Sequence, residues 1–199
     1  MAQLVAYTHE TPDAVLVDRA RSGDADAFAA LVRRYERPLY AYARRMLRSA
    51  DEAEDVFQET FLRVHLHLDR FREGAPFRPW LYQIATNLCR DRQRWWRRRP
   101  QVSLDSARGG QPDAPTYADT LAAPDPGPDR LAREAEAAER LENAVARLPV
   151  KQRAVFLMAR YDGLSYDEIS KILSIPVGTV KSRMNTAVNS LLAAIQETD

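Results

Sequence analysis

Apolar residues recur along this chain at intervals of three and four, the spacing that places them on one face of an α-helix, and strand-like alternation is scarce. The pattern predicts a short helix from Asp13 to Arg21, ended by Ser22-Gly23-Asp24. A second helix begins near Asp24 with Phe28, Leu31, Val32 and Tyr35 on its apolar face. Pro38 predicts a break or a new start, after which Leu39, Tyr42, Met46 and Leu47 continue the face. From Asp51 to Leu68 the stripe is Ala53, Val56, Phe57, Phe61, Val64 and Leu68. Gly74, Pro76 and Pro79 then interrupt the helices, with Phe71 and Phe77 able to anchor the loop ends. Trp80 to Arg99 resumes with Trp80, Leu81, Ile84, Ala85, Leu88 and Cys89 inward, while Tyr82, Gln83, Thr86, Asn87, Arg90 and Asp91 lie off that face.

Composition changes at Pro100. Residues 100 to 129 hold six prolines, the pair Gly109-Gly110 and five aspartates against the single base Arg108, which describes a flexible anionic linker. Helical spacing returns from Leu131 to Leu148, with Ala138, Leu141, Val145 and Leu148 inward. Val150 to Tyr161 follows, burying Val150, Ala154, Leu157, Met158 and Tyr161, and Gly163 is placed as its C-terminal cap. The expected fold is all-α: two small helical domains, 1–99 and 131–199, joined by the linker 100–130.

The most informative stretch runs from Ser165 to Leu191. Ser165 and Glu168 form an S-x-x-E capping box, and Ile169, Ile172 and Leu173 share one helical face. Ser174, Ile175 and Pro176 break that helix, Pro176 suiting the first turn of the next. In the following helix Val180, Met184, Ala187, Val188 and Leu191 form one stripe. Thr179, Ser182, Asn185, Thr186 and Asn189 lie opposite, flanked by Lys181 and Arg183. This is the pattern of a helix-turn-helix, whose second helix enters the DNA major groove.

Charge changes the picture locally rather than globally. The net charge of +1 conceals segregation. Asp51, Glu52, Glu54, Asp55 and Glu59 make the front of one helix acidic; Asp51 and Glu52 suit the positive end of the macrodipole. Asp55, Gln58 and Glu59 lie further along one ridge, with Leu62 as an apolar residue among them, which suits docking to a basic protein surface. Arg90, Arg92, Arg94, Arg97, Arg98 and Arg99 crowd the end of the first domain with Trp95 and Trp96 interleaved. Guanidinium groups neutralise phosphate and aromatic faces stack on unpaired bases. The alternative for that stretch is a solvated basic helix end with its tryptophans packed on the domain.

Other classes find less support. No apolar run is long enough to span a bilayer, and the N-terminus lacks the basic and apolar regions of a signal peptide. The single Cys89 fits a reducing cytoplasm and a place in the core. His65 and His67 point to nearly opposite sides of a helix and cannot share a metal. No nucleophile-base pair or ligand cluster is present, so neither catalysis nor a cofactor is expected.

Six motifs in order bear a resemblance. They are A-F-x-x-L-V-x-R-Y from Ala27, A-E-D-V-F-Q-E-T-F from Ala53 and F-R-P-W-L-Y-Q-I-A-T-N from Phe77; beyond the linker come L-P-x-x-x-R-x-V-F from Leu148, G-L-S-Y-D-E-I-S from Gly163 and V-G-T-V-K-S-R from Val177. With them the chain resembles the sigma factors of bacterial RNA polymerase, most of all the two-domain extracytoplasmic-function (ECF) group. The resemblance implies promoter-specific transcription initiation. The implied partners are core polymerase (its β′ clamp and β subunits), promoter DNA and an anti-sigma factor, in the cytoplasm and on the nucleoid. It implies that Asp55, Gln58 and Glu59, with Leu62, dock on the β′ clamp coiled coil. It implies that Phe71, Phe77, Trp80, Asn87, Arg90, Asp91 and Arg94 belong to the −10 region. It implies that Thr179, Lys181, Ser182, Arg183, Asn185 and Thr186 meet −35 DNA, with Lys181, Ser182 and Asn185 reading bases. The acidic linker would thread the polymerase channel near the RNA path. Two departures stand out. Trp95-Trp96 lies downstream of the tryptophan pair of larger sigma factors, and Asn185 and Thr186 are short where some relatives carry an aromatic and an arginine.

A stand-alone helix-turn-helix regulator and a helical metal hydrolase are the competing classes. A receiver domain would show strands in the first half, and a hydrolase would need clustered ligands; neither is legible.

Overall fold

The computed structural model describes residues 7, 8, 10–98 and 128–196. Eight α-helices and one 3₁₀ turn make up the described residues: α1 Asp13–Arg21, α2 Ala25–Leu47, α3 Ala50–His67, the turn Leu68–Arg70, α4 Phe77–Arg98, α5 Pro128–Arg147, α6 Val150–Arg160, α7 Tyr166–Leu173 and α8 Val177–Gln196. The anionic stretch 100–127, and Arg99 with it, lies outside the described residues.

Local chemistry sets the first helix ends. Asp24 caps α2 by accepting from the amides of Asp26 and Ala27 at 3.0 and 3.1 Å, and Ser49 caps α3 through the amide of Glu52. Between them Arg48 adopts the left-handed conformation, φ 63°, and turns the chain back on itself. Pro38 does not break α2, as the sequence suggests it should; the helix runs through it. The missing amide costs one hydrogen bond, but Leu31 and Tyr35 before it and Leu39 and Tyr42 after it are buried in the same core. That shared burial holds both halves on one axis.

Leu16 and Val17 of α1, Leu31, Leu39 and Met46 of α2, Val56 and Val64 of α3, and Leu81 and Cys89 of α4 form the first domain's interior. Each such side chain contributes roughly 1.5–3 kcal/mol by leaving water. Burial pushes the Cys89 thiol up to about 12, so it stays a neutral core group. Helix α4 starts at Phe77, three residues ahead of the expected start, with Pro79 in its first turn, where no amide is needed. Tyr82 and Thr86, placed off the apolar face by their periodicity, are fully buried. Tyr82 packs edge-on to Tyr42, whose hydroxyl meets Thr86 Oγ1 at 2.9 Å.

The second domain places α6 and α7 against α8, with α5 along it. Val145, Leu157, Met158, Ile169, Val180, Met184, Ala187 and Leu191 fill its centre. Ala138, expected inward, is exposed, and α5 starts at Pro128, inside the stretch assigned to the linker. Gly163, with φ 63°, follows α6, and the Leu164 amide closes back on the Met158 carbonyl at 2.9 Å, a Schellman-type end.

The two domains are docked on each other, which no periodicity in the sequence announced. Arg153 of α6 is buried, and one guanidinium serves two helix ends: it donates to the Met46 carbonyl of α2 at 2.8 Å and to the Leu148 carbonyl at 3.0 Å, and also to Ala146 of α5. Gln93 of α4 donates to the same Met46 carbonyl at 2.6 Å.

Candidate nucleic-acid interface

Three surfaces carry the residues singled out above. The first is the outer side of α3. Asp55 and Gln58 are exposed, Glu59 is half-buried, and Leu62 is 52% exposed. Four of the carboxylates there already have partners. Arg92 of α4 donates to Asp55 at 2.9 Å, Gln58 to Glu54 at 2.9 Å, Arg63 to Glu59 at 2.8 Å, and the Trp96 indole N–H to Glu52. Ion pairs this exposed contribute about 0–1 kcal/mol, so an incoming basic surface can displace them. Leu66, one turn beyond Leu62, is 63% exposed and extends the ridge; its four-residue spacing from Leu62 was the available signal.

The second surface is a cleft of about 380 Å³ between the loop after the 3₁₀ turn and the start of α4. Phe71 and Trp80 line it with ring centroids 4.5 Å apart and planes tilted by 31°. Phe77 is 3% exposed; it forms the floor beneath them, against Tyr35 at 5.6 Å, and does not line the cleft. The loop is held to the first domain by Arg21, which donates to the Phe71 carbonyl at 2.9 Å. Asn87, Arg90, Asp91 and Arg94 are not in the cleft; they run further along α4, Asn87 exposed and Asp91 paired with Arg94. Their row extends the track from an aromatic pocket onto a basic ridge. His67, Arg70 and Gln83 also line the cleft. Gln83 sits in the F-R-P-W-L-Y-Q motif one turn before Asn87, a register that could have identified it. Trp95 and Trp96, with centroids 4.8 Å apart, are about half exposed at the helix end.

The third surface is α8. The capping box is formed in full: Ser165 Oγ accepts from the Glu168 amide, and Glu168 accepts from the Ser165 amide at 2.8 Å. The Ser165 hydroxyl, which donates to the Glu168 carboxylate at 2.7 Å, and then the Ser165 amide hold that carboxyl below the usual carboxylate range. Ser174 takes the left-handed conformation at the turn, and Ser170 donates to the Ile175 carbonyl at 2.5 Å, closing it. This geometry presents Lys181, Ser182, Asn185 and Thr186 to solvent, with Thr179 and Arg183 half-buried at the flanks. Helix α8 contains no acidic residue, so nothing on its outer face repels phosphate. Among the described residues no cluster of three or more His, Cys, Asp or Glu could hold a metal, and no helix is long and apolar enough to cross a membrane.

Comparison with known proteins decides what these surfaces belong to. Residues 31–99 match the family described as Sigma-70 region 2, and residues 138–191 match Sigma-70, region 4. The ECF RNA polymerase sigma factor SigW of Bacillus subtilis (strain 168) is 35% identical over 91% of this chain and 95% of its own length. The chain belongs to the ECF sigma factors. The ECF RNA polymerase sigma-E factor of Escherichia coli (strain K12) is 32% identical over 95% of the chain and 97% of its own. Among solved structures, CnrH in complex with the cytosolic domain of CnrY superposes with a TM-score of 0.68 at 26% identity, covering 94% of this chain and 99% of that one. As a sigma factor the protein is a transcription initiation factor for RNA polymerase that directs it to promoter DNA, and not an enzyme.

Proposed function

We propose that this sigma factor divides its work among the three surfaces. Residues 1–99 act as the region that binds polymerase and the −10 element, 128–199 as the region that binds the −35 element, and 100–127 as the tether. The ridge of Asp55, Gln58, Glu59 and Leu62 docks on the basic β′ clamp coiled coil. Phe71 and Trp80, over Phe77, take an unstacked base of the −10 element. Asn87, Arg90 and Arg94 follow the strand beyond it, with Asp91 orienting Arg94. Lys181, Ser182 and Asn185 read base edges of the −35 duplex, each good contact contributing about 1–3 kcal/mol of discrimination. Thr179, Arg183 and Thr186 meet its phosphates. Sigma factors act in the cytoplasm, and this one joins the nucleoid when bound to polymerase.

The observation that carries this assignment is the aromatic cleft of Phe71 and Trp80 opening onto the polar and basic row of α4. Flipping a base costs a few kcal/mol, and stacking in such a cleft recovers it. CnrH is held in a complex with the cytosolic domain of CnrY, and its superposition over both domains supports an anti-sigma partner for this chain as well. Run-off transcription tests the whole assignment. Core polymerase with this protein initiates at a promoter that core alone ignores. Asp55→Arg lowers the yield at least about tenfold, a change of about 1.4 kcal/mol or more in docking. Equal yields from Asp55→Arg and the unaltered chain would refute the docking surface.

A further inference from the structure

A separate cavity of about 340 Å³ opens where the end of α4 meets the start of α6 and one side of α8. Its lining is Arg97, Pro149, Val150, Lys151, Gln152 and Arg183. Three of these are cations, each from a different helix, and none is an acid. Elsewhere the surface arginines sit beside carboxylates, as Arg92 does with Asp55, Arg94 with Asp91 and Arg63 with Glu59. Among the described residues Arg97, Lys151 and Arg183 have no ion pair or hydrogen bond of that kind.

The α6 wall adds to the same field. Pro149 stands at its N-cap with no side-chain cap, and the first turn holds no acid. The amides of Gln152 and Arg153 close on the Pro149 carbonyl at 2.8 and 2.9 Å, which leaves those of Val150 and Lys151 as unclaimed donors at the positive end of the helix. The Gln152 Oε1 is enclosed without a partner, and the carboxamide can turn over to offer its NH₂ instead. Burial first, and then the charges of Arg48 and Arg97, hold the buried Arg153 below its ordinary pKa, so the positive potential reaches beneath the surface. Like charges gathered in this way repel unless an anion lies between them.

We propose that this cavity binds a small oligophosphate anion, with Arg97, Lys151 and Arg183 supplying the charge and the first turn of α6 supplying amide donors. Guanidinium groups match phosphate oxygens in pairs, and three cations suit a diphosphate better than a singly charged ion. The volume lies in the range of small-molecule clefts, about 300–1,000 Å³. Inorganic pyrophosphate is the simplest such ligand, and the phosphate tail of a nucleotide carries the same chemistry. Duplex DNA presents its phosphates on a broad convex surface, which does not fit a concave space between three helices. Since the walls come from both domains, the anion binds their packed arrangement and favours it by its affinity for that form alone.

The test is calorimetric titration of the full chain with inorganic pyrophosphate, chloride balancing the ionic strength. The chain takes up one pyrophosphate. Arg97→Ala and Lys151→Ala, in different domains, each weaken binding about tenfold or more, the loss of one charge-assisted contact. Both side chains are exposed, so circular dichroism melts should match those of the unaltered chain. Arg98→Ala removes the same charge from a neighbouring exposed position outside the cavity and leaves affinity within about twofold. No uptake of pyrophosphate overturns the site. An equal loss in Arg98→Ala and Arg97→Ala overturns it too, because a diffuse basic surface then explains the binding. A loss in Lys151→Ala with none in Arg97→Ala places the anion on α6 alone and refutes the two-domain site. A short random duplex is the second probe. If the duplex loses affinity in both cavity variants while pyrophosphate does not bind, the cavity is a DNA phosphate contact and the small-anion assignment is wrong.

Discussion

Arg48 shows how much a single backbone position can hold. It sits at the end of α2 with φ 63°, a region that glycine occupies freely and an L-residue enters at about 1–2 kcal/mol. Its guanidinium reaches Asn143 only at 3.4 Å and exposed, too weak a contact to offset that strain. Arg48→Gly should therefore stabilise the protein by about 0.5–1 kcal/mol, read as a rise in the thermal midpoint; a fall would show that the Asn143 contact matters more. The sequence pattern could not reveal this strain, because Arg48 resembles its neighbours Arg44 and Arg45 in everything but its dihedral angles. Asp55 teaches the complementary lesson. Its place on an exposed ridge was legible from spacing, but its pairing with Arg92, 37 residues away, was not.

At the scale of the element, the helix-turn-helix was the most legible part of the chain because every signal in it is local. The Ser165–Glu168 box, the Pro176 start and the stripe of α8 each arise within a few residues, and the structure forms all three. Ser165→Ala removes the acceptor for the Glu168 amide and should cost about 1 kcal/mol. For a domain of this size the melting midpoint should fall by about 4–8 °C; an unchanged midpoint would mean that α7 is held by packing alone. Helix α4 is the contrary case. Periodicity reports one buried face, whereas α4 is covered by α2 and α3 on one side and by α7 on another. Tyr82 and Thr86 therefore read as peripheral and turn out to be interior. Pro38 misled for a related reason: a breaker signal is local, and the core on both sides of it overrides the lost bond.

At the scale of the whole molecule the docked domains create a titration. Burial pushes the Asp162 carboxyl up to about 6, against the partial relief given by the Tyr82 hydroxyl and by Arg78 and Arg45 facing it from α4 and α2. Asp162 Oδ2 has no partner at all. When the domains part the carboxyl returns to its ordinary range near 4. The docked form thus holds its proton more tightly, so docking is strongest at low pH and weakens as pH rises through about 6. Above that the penalty is on the order of 1–2 kcal/mol once residual solvent screening is allowed for. Asp162→Asn should flatten this dependence and tighten docking at pH 7.5, seen from pH 5 to pH 8 as higher energy transfer between dyes attached at Glu36→Cys and Ala193→Cys, exposed positions on the two domains. A profile for Asp162→Asn as steep as that of the unaltered chain would place the titration elsewhere.

By itself the sequence determined the helices, the charge-sorted ridge of α3, the polar outer face of α8 and the family, because periodicity, caps and motifs are written in neighbours a few residues apart. Only the tertiary structure decided that Phe77 is a floor, that Arg153 caps helices of both domains and that Asp162 is buried against Tyr82. Those outcomes depend on residues 80 to 107 positions apart meeting across a seam. No local pattern records such a meeting, since each partner alone is an ordinary polar residue at an ordinary place on its helix.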